Sequence, residues 1–116
     1  MGSVGKGRFE DYSTQSGNDK CLDDIEDVRL DDVARSEYFK QYNQVPAIIT
    51  SVELQKELYY GRIAVINNEK HIIGFLPTNY NYLLSCLNNN YKYTGNISYS
   101  SNKPFPIIVV SLNATK

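Results

Sequence analysis

The stretch Gly61-Arg62-Ile63-Ala64-Val65-Ile66-Asn67-Asn68-Glu69-Lys70-His71-Ile72-Ile73-Gly74-Phe75-Leu76-Pro77 decides the fold. It holds two β-branched runs joined by a short polar turn, Asn67-Asn68-Glu69-Lys70. Asparagine tolerates positive φ, so Asn67-Asn68 suits a hairpin. Pro77 has no N–H to give a ladder and ends the second run. Beyond it, Thr78 is placed to cap a helix over residues 79–88, with Tyr80, Leu83, Leu84 and Leu87 on one face. The expectation is strand, turn, strand, then a helix laid back on the sheet.

Downstream, Asn88-Asn89-Asn90 offers a left-handed stop without glycine. Residues 91–99 then alternate, with Tyr91, Tyr93, Ile97 and Tyr99 on one face and Lys92, Thr94, Asn96 and Ser98 on the other. Phe105 to Leu112 is apolar at successive positions, the pattern of a strand covered on both faces. Upstream, residues 47–54 suit a strand with Ile48, Val52 and Leu54 facing one way. Before Gln44-Val45-Pro46, Asp31 or Asp32 is placed to cap a helix bearing Val33, Ala34, Tyr38 and Tyr42. Leu22, Ile25 and Val28, set among acids, fit a helical turn or a short strand equally well. Met1 to Asp19 is rich in Gly and polar residues and has almost no apolar periodicity. The organisation expected is a flexible lead-in over 1–20, an acidic and partly helical extension over 21–45, and a β-rich α+β domain over 46–116.

At 116 residues the chain has room for one real core. No apolar run approaches the roughly 18 residues of a membrane span. The first twenty residues lack an apolar segment, so no export signal is expected. Cys21 and Cys86 form no spacing motif, and in a cytoplasmic chain they are expected as free thiols. Asn96 and Asn113 in Asn-X-Ser/Thr triplets are then chance matches. Up to Pro46 there are ten acids against six bases; from Ala47 onward, three acids against six bases. The acidic first part and mildly basic second part are the first hint about partners.

Few residues suggest catalysis. His71 is the one histidine, and no acid or nucleophile stands at a telling spacing from it. With two distant cysteines, no zinc set assembles. Asp23, Asp24, Glu26 and Asp27 lack the alternating spacing and glycine of a calcium loop. The expectation is a chain that is no enzyme and uses no metal or cofactor.

Binding features are richer. Ten tyrosines and no tryptophan are unusual, and seven of the ten, from Tyr59 to Tyr99, crowd the second half. Tyr59-Tyr60-Gly61-Arg62 sets two aromatics and a guanidinium beside a glycine. Single-stranded nucleic acid needs this combination, a counter-charge for phosphate and faces for bases. Lys70, Lys92 and Lys103 extend such a surface. The structural alternative is that the tyrosines cover one end of the sheet while Arg62 pairs with Glu53 or Glu57.

Residues from Leu58 to about Leu112 resemble the HIRAN domain, a small β-barrel attached to some DNA translocases and also found alone in bacteria and phages. The likeness rests on Ile63-Ala64-Val65, Ile73-Gly74-Phe75-Leu76-Pro77, the Leu83-Leu84 helix and Tyr93-x-Gly95-x-Ile97. Where that family carries an Asn-Pro-Tyr-Asp-x-Asn-Ala type segment, this chain has Leu58-Tyr59-Tyr60-Gly61-Arg62-Ile63 and keeps only the aromatic. The resemblance implies a barrel similar to the OB-fold and binding of single-stranded DNA. Tyr59, Tyr60, Arg62, Lys70 and Lys92 are then the candidate contacts. The competing expectation is a phage or mobile-element protein that binds a basic partner through Asp23, Asp24, Glu26, Asp27 and Asp31. A third is that the acidic segment folds over the chain's own site and masks it.

Overall fold

The computed structural model describes residues 20–116, so all of the expected lead-in but Lys20 lies outside it. Six strands follow in order: β1 (Ile25–Arg29), β2 (Ser51–Tyr59), β3 (Arg62–Asn67), β4 (Ile72–Phe75), β5 (Lys92–Ser101) and β6 (Ile107–Thr115). Two short helices interrupt them, α1 (Glu37–Tyr42) after β1 and α2 (Leu83–Asn88) after β4. Single 3-10 turns precede each helix, at Val33–Arg35 and Thr78–Tyr80. All neighbours are antiparallel, in the order β1-β6-β5-β2-β3-β4. The chain is a small β-rich domain.

The acidic segment that fitted helix or strand equally is strand β1, paired with β6 in the register Ile25↔Leu112 and Arg29↔Val109. The ladders do not close into a barrel, because β1 and β4 remain the two edges. The edges approach at one isolated bridge, where Asp31 and Phe75 exchange backbone hydrogen bonds at 2.8 and 3.0 Å. Gly74 makes this approach feasible: a Cβ there would stand 3.0 Å from Leu30. Glu37 Oε1 accepts from the Ile72 N–H, so β4's free edge is covered by side chain and backbone alike.

Alternation builds the core. Ile63, Val65, Ile73, Leu76 and Leu83 are fully buried, joined by Tyr93, Ile97, Ile108, Val110 and Leu112. On β6 the inward residues are Ile108, Val110 and Leu112, whereas Ile107 and Val109 are half-buried on the other face. The strand expected to be covered on both faces is thus covered well on one. Gly95 lets β5 and β6 meet closely, since a Cβ there would lie 1.8 Å from the Ser111 carbonyl oxygen.

Several local expectations need correcting. The helix cap is Ser36, whose Oγ accepts from the Phe39 N–H; Asp32 sits at φ 54 and caps nothing. The run over 79–88 is a 3-10 turn followed by α2, so Leu84 is only half-buried while Leu83 and Leu87 are buried. β2 begins at Ser51, leaving Ile48 and Ile49 exposed in the preceding turn. A bulge between Ile97 and Tyr99 breaks the alternation and turns Tyr99 outward. Cys21 and Cys86 are not free thiols: they form a disulfide between the segment before β1 and α2. Free thiols are what the expected cytoplasmic setting implies, and the disulfide gives that setting no support. Among the described residues no helix is long and apolar enough to cross a membrane.

Candidate binding groove

Tyr60 and Gly61 form the two-residue turn between β2 and β3, at φ 55 and 73, with Tyr59 paired to Arg62. Positive φ at both central positions is the type I′ geometry that matches strand twist. Glycine accepts it freely; a bulky tyrosine does so at a cost. The tip is held from one side by Asn81, whose Nδ2 donates to the Gly61 carbonyl at 3.0 Å. The result is a Tyr60 side chain 96% exposed at the apex.

Across from this tip lies the segment from Arg35 through α1. Between them runs a groove lined by Arg35, Lys40, Tyr59, Tyr60, Ile72 and Phe75. Ser36 fixes the wall by donating to Val33 O at 2.7 Å while capping α1. Arg35 and Lys40 are exposed, and neither has a carboxylate partner among the described residues. Two carboxylates also line it, and both are engaged, Glu37 by the Ile72 N–H and Asp32 by Arg62. The groove therefore combines aromatic faces with two available cations.

Arg62 takes a different part from the one its sequence context suggests. Its Nη1 donates to Asp32 at 2.5 Å and its Nη2 to Asp31 at 2.6 Å, with the guanidinium 5.4 Å from the Phe75 ring centroid. The partners are these two aspartates, neither Glu53 nor Glu57. Glu53 instead faces Lys70 at 3.7 Å, in the turn at the other end of β3. Lys92 is exposed at the start of β5, opposite Thr115. Of the five expected contacts, Tyr59, Tyr60 and Arg62 come together, and Lys70 and Lys92 stand apart from them.

The acidic residues also disperse. Asp27, at φ 51 in a β1 bulge, accepts from the Ser98 and Ser111 hydroxyls through one carboxylate oxygen. Asp31 engages Arg62, while Asp23, Asp24 and Glu26 are exposed. Asp23 lies near enough to two tyrosines to act on them. The Tyr93 hydroxyl is pushed up to about 12 by burial, then by Tyr82, Tyr91 and Asp23. Tyr82 is raised by burial, then by Tyr80 and Asp23. Among the described residues no three His, Cys, Asp or Glu side chains gather as metal ligands would.

Arg35 and Lys40 were missed as site residues because they belong to the acidic first part of the chain. Only the packing of α1 against β4 brings them to the hairpin tip. No spacing in the sequence signals that approach. Comparison with protein-family models, with curated proteins and with solved structures found no match for the chain.

Proposed function

We propose that the chain is a non-enzymatic, HIRAN-like binding module built on an open antiparallel sheet, and that the groove between α1 and the β2–β3 tip takes single-stranded nucleic acid. One observation carries the reading. Tyr60 stands 96% exposed on a left-handed backbone, across from two cations with no carboxylate partner among the described residues. A large aromatic held out of its own core at a conformational cost is a recognition element rather than a packing one. Bases stack on Tyr60 and Tyr59, and Arg35 and Lys40 neutralise the flanking phosphates. The counter-charge is then supplied by the α1 side, since Arg62 already has its anions. With a net charge of −1 the chain has no long-range pull on a polyanion, so the attraction is local and modest.

Fluorescence anisotropy with a labelled oligothymidine of about ten nucleotides, a length within single-fold site sizes, tests this at two salt concentrations. Binding should tighten at low salt, and Tyr60→Ala should weaken it by about 1–3 kcal/mol. Absence of binding at low salt, or binding indifferent to Tyr60, would refute the proposal.

A further inference from the structure

The opposite end of the sheet carries a second feature that the groove does not use. Before β2 the chain makes a turn in which Ile49 has φ 73 and is 74% exposed. A β-branched residue in the left-handed region is a genuine outlier, and an exposed one gains nothing from its own core. The conformation is imposed by a dense set of bonds. Ile49 N donates to Ile97 O at 2.8 Å, Asn96 Nδ2 to Ile49 O at 3.0 Å, and the Thr50 hydroxyl to Ala47 O at 2.6 Å. Ile48 beside it is 54% exposed.

The strand registers carry this turn into a wider surface. Arg29, Val109 and Tyr99 lie in one row across β1, β6 and β5. Tyr99 is 52% exposed because of its bulge, and Phe105 is also 52% exposed with Arg29 stacked 5.6 Å from its ring centroid. The Ile49 backbone bonds to Ile97, two residues from Tyr99 on the same strand. Ile49, Tyr99 and Arg29 thus stand in successive places from the turn before β2 across β5 to β1, with Phe105 under Arg29, the residue types of an interface centre. Arg29 and Lys103 have no carboxylate partner among the described residues, so this face carries two cations against the one carboxylate of Asp27. The adjacent acid, Asp27, is held by Ser98 and Ser111.

We propose that this face docks an acidic, apolar protein segment, with Ile48 and Ile49 as its ridge and Arg29 and Lys103 meeting the partner's carboxylates. A strained, exposed isoleucine is retained where a partner covers it. The Ile48–Ile49 ridge is separate from the groove, because β2 runs from it to the Tyr59–Tyr60 tip; Arg29, two residues before Asp31, lies between the two.

Selection of random peptides displayed on phage against the immobilised chain tests the proposal. Enriched peptides should pair bulky apolar residues with Asp or Glu. Their binding should fall by about tenfold or more in both Ile49→Asp and Arg29→Glu, the loss typical of an anchor residue, and be unchanged in Tyr60→Ala. Ile49→Asp should melt no lower than the parent, since aspartate enters the left-handed region more readily than isoleucine. Ile48→Asp, at a residue outside that region, repeats the test independently of strain. Equal enrichment on the Ile49→Asp chain overturns the proposal. So does enrichment of basic or purely apolar peptides. Self-association in light scattering that Ile48→Asp abolishes would give the face to a second copy, and binding to phosphatidylserine vesicles lost in that variant would give it to a lipid surface; either result overturns a protein-segment partner.

Discussion

Arg62 and Asp31 meet at 2.6 Å across thirty-one residues of sequence. The contact ties the first residue of β3 to the segment that leaves β1, and it lies directly beside the Asp31–Phe75 bridge between the two sheet edges. An arginine that suits a phosphate and an aspartate that suits a basic partner are each other's partner instead. Their pairing joins that segment to the start of β3, while α1 with Arg35 and Lys40 is held by its own packing against β4.

Arg62→Ala is expected to destabilise the chain. Its carboxylate partners are 48% and 43% exposed, so each ion pair is screened and contributes at most about 1 kcal/mol. Losing both, together with the stacking on Phe75, should total about 1–2 kcal/mol in a urea melt. Lysine should restore only part, because its ammonium lacks the planar fork that reaches Asp31 and Asp32 while lying over the Phe75 ring. A midpoint unchanged in Arg62→Ala would show that the clamp is only a surface contact.

The Cys21–Cys86 disulfide closes a span of 65 residues and fixes the strap before β1 to α2. Reduction should cost about 2–5 kcal/mol, the range for a native bridge in a small domain. Thermal melts with and without a thiol reductant measure it, and Cys86→Ser should reproduce the reduced value. Equal melting temperatures would mean that packing alone holds the strap.

Tyr93 donates its hydroxyl to the Cys21 carbonyl at 2.7 Å and is raised to about 12 in the fold. Unfolded, it titrates near its ordinary 10. Between these values the native state keeps a proton that the unfolded state has lost, so stability falls as pH rises. Below 10 the contribution is fully present. Tyr93→Phe should flatten this alkaline slope while lowering stability at neutral pH, because the Cys21 carbonyl loses its partner. The readout is the urea midpoint followed across that window.

Much of the fold is legible in the sequence, and the exceptions have definite causes. Ile63 to Leu76 announces its two strands because β-branched residues and Pro77 leave no helical alternative. The face of β6 is ambiguous because Ile107 to Val110 is apolar at every position, so period two cannot pick the inner set. Tyr99 misleads because a bulge shifts register without any marker residue. Arg62's true partners and the Cys21–Cys86 pairing are long-range facts of the fold, and no local pattern encodes them. The hairpin tip of the site was readable from Tyr59-Tyr60-Gly61; its cationic wall was not.

Leu83 and Leu84 separate two descriptions of the segment after Pro77. One continuous helix would bury both, whereas a 3-10 turn followed by α2 buries Leu83 and leaves Leu84 half-covered. Leu83→Ala should cost about 2–5 kcal/mol through lost transfer energy and an unfilled cavity. Leu84→Ala should cost distinctly less in the same denaturant melt. Equal losses would favour the continuous helix.

The last expectation divides the two arginines beside Tyr60. Arg35 lines the groove with its guanidinium uncommitted among the described residues, whereas Arg62 is neutralised by Asp31 and Asp32. A cation already paired releases few counterions when a phosphate arrives, because its own carboxylates must first be displaced. Arg35→Ala should therefore weaken oligothymidine binding and reduce the slope of log affinity against log salt by about one unit. Lys40→Ala should do the same, and the pair should add, since each meets its own phosphate. Arg62→Ala should leave the slope unchanged below its melting transition, while lowering stability. The reverse pattern, a slope that depends on Arg62 and ignores Arg35, would move the phosphate site off the α1 wall and show that Asp31 and Asp32 yield to nucleic acid.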